Sequence, residues 1–211
     1  MKNVITLLLT CLSIIGFGQK YQKALLILKD GEQKQGLIQV NVKSLFQPKK
    51  FIFKVSESSE PQKIDISMVK AVTIFGKNNQ VYESENIDYA FNPKKNKTKN
   101  GWALKVVSGY YNLYTFGSYS FDKEDNLTIT NSSNSLPEQF YFIRKNSETR
   151  ALLFGIYSPS PTYLGLHKVL LDRVKNFMSD NPELVAKVEN KELSISDIER
   201  IVRDYNLSKS Q

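Results

Sequence analysis

The stretch that decides the fold is WALKVVSGYYNLYTF, residues 102–116. Ser108 and Gly109 are typical of a two-residue turn, so the stretch predicts a β-hairpin in which Lys105 lies opposite Asn112. Because side chains alternate between the two faces of a strand, Lys105 and Asn112 share one face. The other face collects the apolar side chains of Trp102, Leu104, Val106, Tyr111 and Leu113. This pattern predicts an antiparallel sheet with one face on a core and the other in water.

Further short strands are predicted on both sides of this hairpin. They cover residues 24–28, 37–42, 51–55, 64–66, 69–75, 81–83, 126–130 and 139–144. Between the first two, Asp30 and Gly31 indicate a two-residue turn, which places Lys29 opposite Glu32 as a cross-strand ion pair. Many short strands with frequent turns predict a curled sheet, a small sandwich or an open barrel. We expect one β-rich domain over residues 19–160.

The spacing of apolar residues becomes helical in the C-terminal segment, residues 161–211. Three short helices are predicted there. The first covers residues 166–178, the second follows an N-cap at Asn181, and the third follows a capping box of Ser196 and Glu199. We expect the helices to pack on the sheet or on one another, and the alternative is that one apolar stripe binds another protein. The predicted fold class is therefore α+β, mostly antiparallel β with a helical tail.

The N-terminus, MKNVITLLLTCLSIIGFGQ, has a basic start, an apolar run over residues 4–15 and small residues near its end. These features predict a secretory signal peptide, residues 1–18, with the mature protein in the periplasm, at the outer membrane or outside the cell. The apolar run is shorter than the ~20 residues of a membrane-spanning helix. Retention of the leader as an anchor is the alternative. Cleavage removes Cys11, the only cysteine, so the mature chain has no disulfide and no thiol site.

The chain is basic, with a formal net charge of +8. In a cytosolic protein this balance favours nucleic acid, but an exported protein meets anionic glycans, lipid headgroups and acidic proteins instead. The densest basic segment is FNPKKNKTKN, residues 91–100. Its four lysines are the candidate contact for an anionic partner: Lys94, Lys95, Lys97 and Lys99. The sequence alone favours the simpler interpretation of this segment, a solvated loop in a lysine-rich chain.

The sequence offers few of the residue types on which catalysis depends. His167 is the only histidine, so a catalytic triad or a histidine-rich metal site would have to rest on it alone. Residues 122–126 are acidic but lack the spaced ligands and terminal glutamate of a calcium loop. No P-loop, GxGxxG, HExxH or GxSxG motif occurs. We therefore assign no catalytic residue, metal ligand or cofactor, although two carboxylates facing one cleft would suffice for a glycosidase.

Three features of the sequence occur together: the Lys29-Asp30-Gly31 turn with Gly36 after it, Gly109 followed by Leu113 and Tyr114, and the ending NPELVAKVENKELSISDIERIVRDYN, residues 181–206. In these features the chain resembles a family of small exported β-rich proteins of Bacteroidota. Relatives often have a cysteine at the position of Asn181. Because this chain has an asparagine there, redox chemistry at that position is excluded. The resemblance implies a location in the cell envelope or outside the cell, and it implies no activity.

These observations predict an exported protein of the cell envelope or the medium that acts as a non-enzymatic binding or structural module. An envelope protein or a glycan is the expected partner, and nucleic acid is not expected. The alternatives are a carboxylate-dependent hydrolase acting on envelope or extracellular glycans, and a membrane-associated protein that keeps its leader.

Overall fold

Twelve strands precede three helices in the part of the chain that the structure describes. The computed structural model describes residues 21–39, 50–93, 97–116, 118–121, 127–130, 139–158 and 165–210. The strands are β1 (Tyr21–Leu28), β2 (Gln33–Gln39), β3 (Lys50–Lys54), β4 (Gln62–Asp65), β5 (Val69–Phe75), β6 (Val81–Ala90), β7 (Lys99–Val107), β8 (Tyr111–Thr115), β9 (Ser118–Phe121), β10 (Leu127–Thr130), β11 (Gln139–Lys145) and β12 (Arg150–Tyr157). The helices are α1 (Leu166–Phe177), α2 (Pro182–Glu189) and α3 (Ile198–Ser208).

Ten of these strands form one sheet, in the order β12-β11-β8-β7-β6-β5-β1-β2-β3-β4, while β9 and β10 pair with each other. The sheet also closes on itself, because β12 pairs in parallel with β6 as well as antiparallel with β11. Strands β6, β7, β8, β11 and β12 therefore make a five-stranded barrel. Strand β6 is shared, since residues 81–85 pair with β5 and residues 88–90 pair with β12. The predicted α+β class is confirmed, with a closed barrel joined to a curled sheet.

The barrel and the curled sheet have separate cores on opposite faces of β6 and β7. In β7, Ala103 points into the barrel, whereas Trp102 and Leu104 point into the core of the curled sheet. The sheet curls far enough for the ring of Phe51 on β3 to meet the indole of Trp102, with ring centroids 5.6 Å apart. This alternation along β7 is the period of two expected for a strand that is buried on both faces.

The three helices cover the outer face of the barrel, as predicted. Apolar side chains of all three helices pack with residues of β7, β8, β11 and β12 in one core cluster. The helix starts explain part of this arrangement. Asn181 caps α2 by accepting a hydrogen bond from the backbone N–H of Leu184 at 3.1 Å, which confirms the predicted cap.

The predicted capping box of α3 is wrong by two residues. Ser194 and Asp197 form the box, instead of Ser196 and Glu199. The reason is a short 3-10 turn over Ile195–Asp197, which starts the helical path before α3 itself begins.

Asn206 of α3 fastens the helical tail to the barrel. Its side-chain oxygen accepts from the backbone N–H of Tyr111 at 2.9 Å, and its amide nitrogen donates to the carbonyl of Tyr111 at 2.8 Å. The side chain is 7% exposed and so replaces water at the start of β8. Gly109 makes this approach possible, because a Cβ there would stand 2.4 Å from the amide nitrogen of Asn206.

The central hairpin is present, but its predicted register is wrong. Leu104 pairs with Thr115 and Lys105 with Tyr114, and a bulge then brings Val107 opposite Leu113. Up to Lys105 the pairing is shifted by two residues, so the faces predicted for Leu104 and Lys105 are kept. The prediction that the face of Lys105 and Asn112 lies in water is also wrong. Asn112 is 6% exposed and, together with Lys105, lies inside the barrel.

The first turn differs from the prediction by one residue. Leu28, and not Lys29, lies opposite Glu32, and its N–H donates to the carbonyl of Glu32 at 2.8 Å. The three-residue loop needs a left-handed residue, which Gly31 supplies with a φ of 92°. The predicted ion pair of Lys29 with Glu32 is therefore replaced by one of Lys34 with Glu32 at 2.8 Å.

Two strands were not predicted, β9 and β12, and β6 runs seven residues beyond its predicted end. Most of the other strands lie within a few residues of their predicted positions. The signal peptide, residues 1–18, lies outside the described residues, as does the end of the second predicted strand. Within the described ranges, no helix combines the length and the apolar character needed to cross a bilayer.

Candidate functional site

The barrel interior has two chemically different ends. We call them the ionic end, formed by Glu83, Glu85, Lys105, Tyr114 and Arg144, and the aromatic end, formed by Tyr89, Phe91, Phe116, Phe140 and Phe142. The side chains at each end come from β6, β8 and β11, or from the residue directly after β6 or β8, and β7 adds Lys105 to the ionic end. A packed middle layer separates them, which includes Ile87, Ala103, Ala151 and Leu153. Side chains therefore fill the space between the two ends of the barrel, as expected for a small barrel.

The ionic end is built around the carboxylate of Glu85. One oxygen of this carboxylate lies 2.5 Å from the amino group of Lys105, and the other lies 2.8 Å from the guanidinium of Arg144. Tyr114 donates a hydrogen bond to the same carboxylate at 3.2 Å. Glu83 adds a second carboxylate, 2.8 Å from Lys105. Two cations thus face two anions, and the cluster is electrically balanced.

Burial and charge act in opposite directions on these groups. Burial alone raises the pKa of Glu85, but the bonds and charges of Lys105 and Arg144 outweigh it, so the pKa lies below its usual value. Burial likewise lowers the pKa of Lys105, yet its bonds to Glu83 and Glu85 leave the pKa raised. Both groups are therefore held in their charged forms.

This electrostatic arrangement bears on the hydrolase alternative. A glycosidase needs one carboxyl group that stays protonated near neutral pH, which requires a raised pKa. Glu85 has the opposite shift and is occupied by its partners. The ionic end therefore fits a structural ion-pair cluster better than an acid and base pair.

The aromatic end is a network of ring contacts. Phe142 lies at its base, fully buried, with ring centroids 4.9 Å from Tyr89, 5.3 Å from Phe91 and 5.2 Å from Phe116. Phe91 also meets Phe140 at 5.7 Å. Most of these pairs are edge to face, the geometry that the ring quadrupoles favour. The rings therefore fill this end of the barrel with a fixed apolar surface.

The outer part of this surface is accessible. Phe91 is 40% exposed, and Tyr89, Phe116 and Phe140 are half-buried. Gly101 gives the rings room, because a Cβ there would stand 3.1 Å from the ring of Phe116. The aromatic end is therefore a surface that a partner can touch, and the ring of Phe142 beneath it is fully buried.

The predicted lysine segment joins the aromatic end. The amino group of Lys99, the first residue of β7, lies over the ring of Phe91 at 5.2 Å from its centroid. Lys97 is exposed in the loop just before β7. Lys94 and Lys95 lie outside the described residues. The structure thus brings Lys99 against the rings and places Lys97 two residues from it.

A second surface feature is a groove of about 850 Å³ on the curled sheet. Three large apolar side chains with substantial exposure line it: Val55, Phe75 and Val81. Its lining includes Lys23 and Glu57, one charge of each sign. The groove is therefore of mixed polarity and electrically balanced, unlike the aromatic end.

His167 has a structural role. Its Nε2 donates to the backbone carbonyl of Val188 at 2.9 Å, which ties α1 to the last turn of α2. Among the described residues, no three histidine, cysteine or acidic side chains are grouped so as to hold a metal ion.

The aromatic end was not predicted from the sequence. Its rings come from three separate segments, residues 89–91, 116 and 140–142, and only the closed barrel brings them together. A usable signal did exist, because FYF at residues 140–142 and DYAF at residues 88–91 place aromatic residues at alternate positions of two strands.

Comparison of the chain with protein-family models, with curated proteins and with solved structures found no match.

The ionic end gives a testable prediction of stability. We expect Glu85→Gln to lower the free energy of unfolding by about 3 kcal/mol at pH 7, because Lys105 and Arg144 lose a shared buried carboxylate. The folded-state pKa of Glu85 lies below its usual 4.5, so its stabilisation is complete above pH 4.5 and is lost as the pH falls through the folded-state pKa. Urea unfolding of both proteins from pH 7 to pH 3, followed by the emission of buried Trp102, measures both effects.

The control for this experiment is Glu183→Gln, which removes the exposed carboxylate that pairs with Lys187 at 2.6 Å. Exposed pairs of this kind contribute little, so this variant is expected to unfold like the wild type. Equal stability of the Glu85→Gln and Glu183→Gln variants at pH 7 would show that the ionic end does not hold the barrel together.

Proposed function

We propose that the protein is an exported, non-enzymatic binding module of the bacterial cell envelope or extracellular space, and that the aromatic end of its barrel contacts an anionic partner. The observation that carries this proposal is the position of Lys99, whose amino group lies over the exposed ring of Phe91. The full chain has a formal charge of +8, of which only Lys2 leaves with the leader, and this excess of positive charge favours the approach of an anionic partner. The signal peptide predicted for residues 1–18 and the resemblance to exported proteins of Bacteroidota support the location.

The packing of the barrel supports binding at a surface rather than inside a pocket. Enzymes and small-molecule carriers usually enclose their ligands in a concave site with a few convergent polar groups. In this barrel the polar groups at the ionic end are bound to one another, and the apolar side chains fill the opposite end. A partner that touches the rim from outside is the kind of ligand that suits this arrangement.

The helical tail is less suited to bind a partner than the aromatic end. The apolar stripes of α1, α2 and α3 are already packed against the barrel, and Tyr205 of α3 is 2% exposed. We therefore place the binding surface on the barrel and give the tail the role of stabilising it.

Export predicts the mass of the native protein. We expect protein recovered from the envelope or the medium to begin at Gln19, because cleavage after Gly18 fits the small residues at the end of the leader. Intact-mass measurement of separated cytosolic, envelope and medium fractions tests this. A full-length chain in the envelope would favour the anchored alternative, and a chain found only in the cytosol would contradict export.

The lysines predict how the protein binds a polyanion. We expect the double substitution Lys97→Gln and Lys99→Gln to weaken binding to dextran sulfate roughly fivefold or more, since each exposed charge pair contributes up to about 1 kcal/mol. Titration calorimetry at low salt measures the affinity, and raising the salt concentration should reduce the difference.

The matched control is the double substitution Lys29→Gln and Lys70→Gln, which removes two exposed lysines from the curled sheet. This control has the same net charge as the Lys97→Gln and Lys99→Gln variant. We expect this variant to bind dextran sulfate within about twofold of the wild type. If the two double variants lose affinity equally, binding depends on net charge alone, and the aromatic end is not the contact surface.

A further inference from the structure

We infer that the anionic partner of the aromatic end is the surface of a phospholipid bilayer. This inference rests on the proposed function and adds the chemical class of the partner. A polyanion in water can use the lysines, but it offers nothing apolar to an exposed phenylalanine ring. A bilayer interface offers both environments, because aromatic rings enter the headgroup region while lysines meet the phosphates.

The geometry of Lys99 and Phe91 suits such an interface. The amino group lies 5.2 Å from the centroid of the ring, so the cation and the apolar surface occupy the same part of the barrel rim. Lysine side chains at membrane surfaces extend along apolar groups and leave the ammonium at the level of the phosphates. The half-exposed Tyr89 lies beside Phe91, with ring centroids 5.9 Å apart, and adds a ring with a polar hydroxyl of the kind found at bilayer interfaces.

Two exposed acidic residues, Asp88 and Glu148, line a surface depression together with Thr98 and Arg150. Asp88 lies on the outer wall of β6, where it accepts a hydrogen bond from the side chain of Asn100 at 2.8 Å. Glu85 lies at the ionic end and is paired with Lys105 and Arg144. The sequence of residues 91–100 carries four lysines and no acidic residue. Charge complementarity with an anionic bilayer is therefore local to this rim.

The same argument selects the aromatic end over the groove of the curled sheet. Phe75 in the groove is 38% exposed, close to the 40% of Phe91, so exposure alone does not distinguish the two surfaces. The groove is lined by one lysine and one glutamate, Lys23 and Glu57, and has no excess of positive charge. Lys145 also lies over an exposed ring, that of Tyr110, at 4.7 Å from its centroid, but that ring carries a polar hydroxyl. Of the aromatic end and the groove, only the aromatic end combines an exposed phenylalanine with an excess of lysines.

The contact is expected to be peripheral and reversible. Phe142 is fully buried beneath Phe91, so the apolar surface that this rim offers to a bilayer is limited to its outer rings. Each lysine near an anionic surface should strengthen binding about fivefold, and the exposed ring should add a similar factor. Binding should therefore depend steeply on both the lipid charge and the salt concentration.

The test is co-sedimentation with vesicles, using protein expressed with its own leader and purified after processing. Vesicles of phosphatidylcholine with and without phosphatidylglycerol are compared, and dextran sulfate is the lipid-free anion. We expect the wild type to sediment with the anionic vesicles and not with the neutral ones. Phe91→Ser should lower vesicle partitioning about fivefold and leave dextran sulfate binding within twofold. Phe75→Ser, the control of matched exposure, should leave both unchanged.

A second variant covers the case in which Phe91→Ser disturbs the packing of the rings. Phe91→Trp keeps an aromatic ring and places a reporter at the rim, while the single natural tryptophan, Trp102, is 8% exposed and gives a constant background. We expect the emission of the introduced indole to shift to shorter wavelength on anionic vesicles and to stay unchanged with dextran sulfate. An unshifted emission in a sample that sediments with the vesicles would overturn the inference.

The outcomes separate this inference from the proposed function. Binding of dextran sulfate through Lys97 and Lys99 without sedimentation on anionic vesicles would overturn the bilayer and keep the anion-binding surface. Failure to bind either anion would overturn both. Equal loss of vesicle binding in Phe75→Ser and Phe91→Ser would move the contact away from the aromatic end and contradict the inference.

Discussion

The parallel pairing of β12 with β6 is the interaction on which the rest of the structure depends. Only residues 88–90 and 150–152 take part, yet this pairing converts a curled sheet into a barrel. It gives β12 a second hydrogen-bonded neighbour, so that the strand has no free edge beside β6. It also creates an interior in which residues from β6, β7, β8 and β11 meet. Without it, the ionic end and the aromatic end would be separate side chains on an open sheet.

Closure of the barrel makes a charged interior tolerable. Lys105 and Glu85 would cost several kcal/mol if buried alone, but the barrel places them 2.5 Å apart and adds Arg144 on the other side of the carboxylate. Tyr114 connects the apolar layer to the ionic end, since its ring is fully buried and its hydroxyl forms hydrogen bonds with both Glu85 and Arg144. The polar groups of the ionic end are thus satisfied by one another, which leaves the opposite rim as the accessible chemical surface.

Local patterns in the sequence predicted local structure well. The helices α1 and α2 lie where the 3.6-residue period and the cap at Asn181 place them, because both signals depend only on neighbouring residues. In the hairpin of β7 and β8, Leu104 and Lys105 keep their predicted faces because a shift of two residues does not change the side on which a residue points. The period alone does not say which face is buried, and Lys105 and Asn112 were therefore assigned to water instead of the barrel interior.

The parts that were missed depend on contacts between distant residues. Strand β12, RALLFGIY, is buried on both faces and so lacks the alternation by which a half-exposed strand is recognised. A prediction that lacks β12 does not contain the barrel, and it therefore does not predict the contacts of Phe142 with Phe91 and Phe116. Lys97 and Lys99 were found because they belong to one lysine-rich stretch of the sequence, whereas the rings beside Lys99 came together only in the fold.

The central claim is that the aromatic end of the barrel is the binding surface, and backbone hydrogen exchange on the unmodified protein tests it most directly. The exchange of amide protons is measured with and without saturating anionic vesicles. The account predicts slower exchange at residues 91, 92 and 97–100, which lie beside the rings, and no change at residues 76–80, which border the groove of the curled sheet. Protection confined to the groove or to the helical tail would contradict the account.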